Sequence, residues 1–351
     1  MLRYLCLIFL TLSCGFSLAE PRDTMAGTVQ VQKMVGGLKE PWAIGILPNG
    51  TVLITERGGK MLWVSKDGRK EVSGLPTVVA KGQGGLLDVV ISRDFDKTRE
   101  IFLTYAAPMG KGAGTAMAVA TLSSDHQSLT RVQELFRMKR ASTKGKHFGS
   151  RVVEAENGDL FVTIGDHGTP KHAQSMDHYS GKVMRVTREG TIEIHSSGHR
   201  NPQGGALDDL GQIWIVEHGP KGGDEINQPK FGLDYGWPVI SYGRHYSGLK
   251  VGEGTHKVGH EQPMLFWDPS IAPSGMMIYQ GDMFPEWQGD IFVGSLKFDM
   301  ISRSALEMDE LSEKERLFQD HYNRIRDIRE APDGSIWFLS VGDNAAYRIS
   351  R

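Results

Sequence analysis

Leu160-Phe-Val-Thr-Ile164 follows Glu156-Asn157-Gly158-Asp159, and the same design returns along the chain. Val52-Leu-Ile-Thr-Glu56 follows Pro48-Asn49-Gly50, and Ile213-Trp-Ile-Val-Glu217 follows Asp209-Leu210-Gly211. Ile291-Phe-Val-Gly-Ser295 follows Gln288-Gly289-Asp290, and Ile336-Trp-Phe-Leu-Ser340 follows Pro332-Asp333-Gly334. A sixth run, Ile101-Phe-Leu-Thr-Tyr105, lacks the obvious glycine turn. Asn and Gly tolerate positive φ, so each turn and run reads as half of a β-hairpin. The runs begin at residues 52, 101, 160, 213, 291 and 336, at intervals of 49, 59, 53, 78 and 45. Several strands per unit at that period predict an all-β fold, a six-bladed β-propeller. The long interval predicts a Gly/aromatic-rich insertion near residues 232–259. A strand over Thr28 to Val35 is expected to complete the last blade and close the ring.

Composition agrees with such a fold. The 351 residues are 39% hydrophobic and 23% charged, as in globular proteins. Glycine numbers 43, which suits many tight turns. Lys plus Arg is 40 and Asp plus Glu is 42, a formal charge of -2. That balance argues against nucleic acid or a polybasic membrane contact as partner. After the N-terminus no apolar run reaches the roughly 18 residues of a membrane span.

Residues 1–19 read as a signal peptide. Arg3 supplies the positive region, Leu5 to Leu12 the apolar region, and Ser17-Leu18-Ala19 the cleavage site. Both cysteines, Cys6 and Cys14, lie within it, so the mature chain would have no thiol. Lipoprotein processing at Cys14 is the weaker alternative, because Thr11 stands where leucine is usual. Residues 20–351 are then the propeller, and an exported protein without disulfides fits a bacterial periplasm.

In a blade the first strand runs away from one face and the second returns to it. Gln83, His147, Arg200, Asn201, Ser270, Arg324 and Arg326 are expected to precede first strands, while Asp166, Gly219, Pro220 and Lys297 follow second strands. All should ring one mouth of the central channel. There the cations Arg200, Lys297, Arg324 and Arg326 would converge and call for a polyanionic ligand, unless local acids such as Asp327 and Glu330 pair with them. Asp166 can reach His147, fix its tautomer and leave the other ring nitrogen as a base. Glu217-His-Gly-Pro-Lys-Gly-Gly-Asp-Glu225 reads as a glycine-rich loop whose carbonyls suit calcium, or as a plain turn. No HExxH and no cysteine pair favours zinc.

Five segments carry a resemblance: His147-Phe-Gly-Ser-Arg151, Thr163-Ile-Gly-Asp166, Gly198-His-Arg-Asn-Pro-Gln-Gly204, Glu217-His-Gly-Pro220 and Asn323-Arg-Ile-Arg-Asp327. In this order they resemble the signatures of the soluble glucose/sorbosone dehydrogenase family, and most closely its bacterial aldose sugar dehydrogenase branch. The resemblance implies an oxidoreductase that holds pyrroloquinoline quinone (PQQ) and Ca2+ at the channel mouth. It implies His147 as general base, Asp166 as its orienting partner and Gln83 as a contact near the base. It puts Arg200 over the quinone oxygens with Asn201 beside it. Lys297, Arg324 and Arg326 are implied for the cofactor carboxylates, and Ser270 as a hydroxyl contact. The carbonyls of Gly219 and Pro220 are implied as ligands of the catalytic calcium, and Glu225 and Tyr235 as a second calcium site. Asp268 stands where glucose-specialised relatives have tryptophan, so an aromatic shelf is missing unless Trp267 replaces it. The implied reaction is oxidation of an aldose at C1 to a lactone. Electrons would pass to an external acceptor, a quinone or redox protein, by a monomer or homodimer. A calcium-dependent propeller lactonase and a non-catalytic binding propeller are the rival readings.

Overall fold

The computed structural model describes residues 19–351, so the signal-peptide reading falls, but for Ala19, outside the described residues. Six antiparallel sheets follow one another in chain order as a six-bladed β-propeller. The six quoted runs are the second strands of the blades, and all their residues are buried. A strand covered on both faces needs apolar or β-branched side chains throughout, so these runs do not alternate. Blade 1 is Pro41–Ile46, Val52–Glu56, Lys60–Ser65 and Gly68–Glu71. The first strands of blades 2 to 6 are Leu86–Ile91, Val152–Glu154, Pro202–Leu207, Pro273–Ile278 and Ile325–Glu330.

The glycine turns share one bonding scheme. Leu47 N–H donates to Thr51 O and Gly50 N–H to Leu47 O, both at 2.8 Å. The same pair of bonds recurs at Ala155/Asp159, Asp208/Gln212 and Ala331/Ser335. In each turn a glycine with φ between 75° and 82° makes the reversal (Gly50, Gly158, Gly211, Gly334), a region costly for residues with a Cβ. The blades are also laced together. Thr55, Thr104 and Thr163, in the second strands of blades 1 to 3, donate to Leu87, Ser150 and Pro202 carbonyls of the next blade at 2.6, 2.6 and 3.1 Å. A buried hydroxyl is thereby satisfied where two apolar sheets meet.

Gly27–Gly36 pairs antiparallel with Ala345–Ser350, so a strand from the start of the chain closes the ring in blade 6. Glu20–Thr24 adds an unexpected fifth strand outside it. The insertion lies between the third and fourth strands of blade 4, Asp224–Asn227 and Leu265–Trp267. It leaves on the face away from the mouth, and at Asp234 it is bridged in parallel to Ser197, at the mouth end of blade 3. No helix among the described residues is long and apolar enough to cross a membrane.

Two expectations need correction. Arg326 does not precede its blade but lies inside the first strand, where the register slips between Ile325↔Ser340 and Asp327↔Leu339. The extra residue at this β-bulge is Arg326 itself. The same one-residue slip occurs at Trp42 and Gln203 in blades 1 and 4. Bulges re-aim a side chain, and all three residues line the channel mouth. Second, Asp224 and Glu225 are not part of a free loop but begin the third strand of blade 4.

Candidate active site at the channel mouth

A cavity of about 860 Å³ opens at the mouth face. Gln83, His147, Arg200, Asn201, Gly219, Pro220, Ser270, Lys297, Arg324 and Arg326 all line it. Residues spread over 244 positions of sequence thus share one site, as the common phase of their positions requires. Such a volume is ordinary for a cofactor or substrate pocket.

Asp166 stands behind His147. Its Oδ1 lies 2.7 Å from His147 Nδ1, so Nδ1–H donates to the carboxylate and Nε2 keeps its lone pair. Gly168 N–H donates to the same oxygen at 2.6 Å, and the Trp237 indole to Oδ2 at 2.9 Å. The approach depends on Gly165, since a Cβ there would lie 2.2 Å from the His147 carbonyl oxygen. His147 itself has φ 54°, an uncommon backbone conformation held by its surroundings. Gln83 completes the support, its Oε1 accepting from His147 N–H at 2.6 Å. Burial pushes the His147 pKa below its usual 6.5; the bond to Asp166 opposes this and the Arg200 charge adds to it. Burial would raise the Asp166 pKa, but His147, Gly168 and Trp237 together hold it below the usual carboxylate value. A neutral imidazole beside an ionised carboxylate can accept a proton at neutral pH.

The four cations have polar partners but no carboxylate within 4.0 Å among the described residues. Arg200 donates to His218 O at 3.1 Å, Lys297 to Ser270 O at 3.1 Å and Arg324 to Leu296 O at 3.0 Å. Arg326 donates to Gln203 Oε1 at 2.9 Å. The Arg200 Nε is buried without a partner. The guanidiniums of Arg200 and Arg326 sit over Trp237 and Trp42, at 5.3 and 5.8 Å from the ring centroids. Burial, with repulsion from Arg151 and Arg324, pulls the Arg326 pKa down to about 10. The acids expected as alternative partners are taken elsewhere. Asp327 pairs with Arg151 and Arg329, and Glu330 accepts from Gln280 N–H. The mouth therefore carries concentrated positive charge suited to an anion.

The residues expected around calcium fall in two places. Gly219 and Pro220 line the main cavity with backbone from a tight loop, where a Cβ at Gly219 would fall 2.2 Å from Gly223 O. Glu225 and Tyr235 meet instead around a small separate cavity of about 10 Å³, with Glu217 and Ser241 also on its wall. Burial beside Glu217 pushes the Glu225 pKa up to about 8. Nearby, Asn227 Oδ1 is buried without a partner. Among the described residues no cluster of three or more His, Cys, Asp or Glu side chains is arranged to hold a metal.

Ser270 is more constrained than its sequence suggests. Its hydroxyl donates to Asp224 Oδ2 at 2.6 Å. Trp267 does not fill the missing aromatic shelf: it is buried in blade 4 and donates to Glu313. Asp268 does line the cavity, paired with Arg244 of the insertion at 3.5 Å. The insertion also brings Tyr246 to the cavity wall, 79% exposed. Sequence reading missed Trp237, Tyr246, Trp42 and Gln203. Trp237 and Tyr246 lie in irregular chain without periodicity, and the other two are bulge residues.

Comparison with known proteins gives four findings. The glucose/sorbosone dehydrogenase family profile matches residues 38–349. Aldose sugar dehydrogenase YliI of Escherichia coli (strain K12) is 40% identical over 334 residues, 89% of this chain and 90% of that protein. The crystal structure of the soluble aldose sugar dehydrogenase from Escherichia coli, in the apo-form, superposes with a TM-score of 0.88 at 38% identity, covering 92% of this chain and 99% of that one. The PQQ-bound aldose sugar dehydrogenase of Streptomyces coelicolor shares the fold, with a TM-score of 0.77 at 22% identity and coverage of 94% and 99%.

Proposed function

The chain belongs to the glucose/sorbosone dehydrogenase family, and on that basis we propose that it oxidises aldose sugars at C1 to lactones with PQQ and calcium. The observation that carries this reading is the convergence of four carboxylate-free cations on a carboxylate-supported histidine within one cavity. PQQ is a tricarboxylate, and the cations answer its charge. The orphaned Arg200 Nε shows that at least one guanidinium has donor capacity to spare. When bound, PQQ would supply an ortho-quinone able to accept two electrons, and calcium would supply a Lewis acid.

The protein's own groups do the rest. Lys297, Arg324 and Arg326 bind the cofactor carboxylates, with Ser270 and Asn201 at the wall of the same seat. Arg200 faces the developing negative charge, where a preorganised cation lowers the barrier most. His147 takes the proton of the sugar 1-hydroxyl at Nε2, and Asp166 steadies the imidazolium that results. Gln83 holds the His147 backbone in its uncommon conformation. The carbonyls of Gly219 and Pro220 would hold the catalytic calcium, and Glu225 with Tyr235 a structural one. We place the mature protein in the periplasm, on the strength of Arg3, the Leu5 to Leu12 segment and the Ser17-Leu18-Ala19 site.

The test is dye reduction by purified protein loaded with PQQ and calcium. Glucose or another aldose is expected to bleach the dye at a rate that depends on both additions. Absence of reduction across an aldose panel, with PQQ demonstrably bound, would remove the sugar assignment.

A further inference from the structure

The loops on the mouth side of blades 2 and 3 are strongly and unevenly charged. Lys111, Lys139, Arg140, Lys144, Lys146 and Lys171 are all exposed there. Across the three loops (110–111, 138–151 and 165–181) the only acids are Asp166 and Asp177. Asp166 is buried behind His147. Among the described residues none of the six cations has a carboxylate within 4.0 Å. In a chain of formal charge -2 this is a marked local excess.

The six are one surface. The turn carrying Lys111 is stitched to the next loop by Ala113 and Ser142, each donating N–H to the other's carbonyl. Lys144 donates to Gly168 O at 2.5 Å, which joins that loop to the one bearing Lys171. Lys139 lies over the Tyr179 ring at 4.5 Å. Burial lowers the His172 pKa, and the charges of Lys171, Lys144 and Arg140 lower it further, so their positive potential overlaps. The surface reaches the cavity directly: Gln83 N–H donates to Gly145 O, between Lys144 and Lys146, and His147 follows. The mouth loops of blades 4 to 6 carry both signs instead, with Asp268 paired to Arg244 and Asp299 two residues from Lys297.

We propose that this basic surface docks an acidic electron-carrier protein, the external acceptor of the reaction. The inference rests on the proposed oxidation. Each aldose oxidised to lactone yields two electrons and two protons. Two one-electron acceptors take the electrons in turn, and the protons pass to water. The acceptor must come close to the cavity, because electron transfer requires short range. An acidic face opposite blades 2 and 3 would be steered there. Transient redox contacts of this kind are small and charge-guided rather than apolar.

A basic cytochrome c and the same protein succinylated on its lysines offer one haem with opposite charge. Binding of each to the holoenzyme is measured by titration calorimetry at 20 and 200 mM salt, and reduction of each is measured with saturating aldose. The succinylated form is expected to bind more tightly and to be reduced at least about 10-fold faster at low salt, an advantage that high salt erodes. The combined variant Lys111→Glu, Lys139→Glu, Arg140→Glu, Lys171→Glu is expected to reverse the preference while reduction of a small neutral dye is unchanged. The corresponding Gln variant is expected to abolish it, which guards against misfolding of the charge-reversed protein. Equal behaviour of the two cytochromes, or a preference unmoved by the variants, overturns the docking surface. Binding that follows charge without reduction, in protein that does reduce the dye, overturns its role as the acceptor port. Failure of the dye reaction itself sinks the oxidation reading instead, and the binding measurement still reports on the surface.

Discussion

Two tiers of cations stand in the same channel. In the lower tier Arg151 and Arg329 each contact both Asp88 and Asp327, at 2.7 to 3.3 Å, in a closed ring of two cations and two anions. Asp327 and Asp88 also accept from Ile44 and Val152 N–H, so blades 1, 2, 3 and 6 are tied at the axis. In the upper tier Arg200, Lys297, Arg324 and Arg326 have only carbonyl and amide partners. Trp42 joins the two, with Arg151 at 4.7 Å and Arg326 at 5.8 Å from its ring. A buried cation matched by carboxylates belongs to the fold, whereas cations gathered at one mouth without carboxylates, buried like Arg200 or exposed like Lys297 and Arg324, favour a bound anion. Pairing, rather than residue type, distinguishes structure from function here.

Breaking the lower tier should give the largest effect. Asp88→Asn leaves two buried arginines short of an anion and is expected to cost about 3–5 kcal/mol in denaturant-induced unfolding. By contrast, Arg326→Gln removes a cation that lacks such a partner and should leave apo-protein stability within about 1 kcal/mol, or raise it. Equal losses in the two variants would erase the distinction between the tiers.

Next in size is His147→Ala, which should keep PQQ binding and lower kcat by at least roughly 100-fold, measured with dye and saturating sugar. The smallest expected effect concerns pH. Because burial depresses the His147 pKa, its neutral form predominates through pH 6.5, so kcat/KM should fall only as pH drops through a value below 6.5. Asp166→Asn removes the carboxylate that raises this pKa. The acid limb should then move to still lower pH, alongside a loss of rate from the less well-oriented ring. An acid limb above 6.5 in the parent enzyme would contradict the assignment of His147 as the buried base.

Much of this was legible because second strands are buried on both faces, so their runs advertise themselves, and glycine turns mark where each begins. From those runs the mouth follows by direction alone, which brought Gln83, His147 and Lys297 into one cavity. Bulges were not legible: the slip that aims Trp42, Gln203 and Arg326 into the channel breaks the two-residue period on which strand reading relies. Neither was Trp237, whose bond to Asp166 depends on the path of irregular chain through the insertion. Asp327 was read as a possible partner for the mouth arginines, but its other neighbours, Arg151 and Arg329, come from a distant blade and from its own strand.

Titration of PQQ into calcium-loaded apo-protein, followed by its absorption spectrum, tests the upper tier most directly. Saturable uptake near one PQQ per chain is the expected result, with Arg324→Ala and Arg326→Ala each raising Kd by about 10-fold or more. Titration curves identical in the parent protein and both variants would contradict the account.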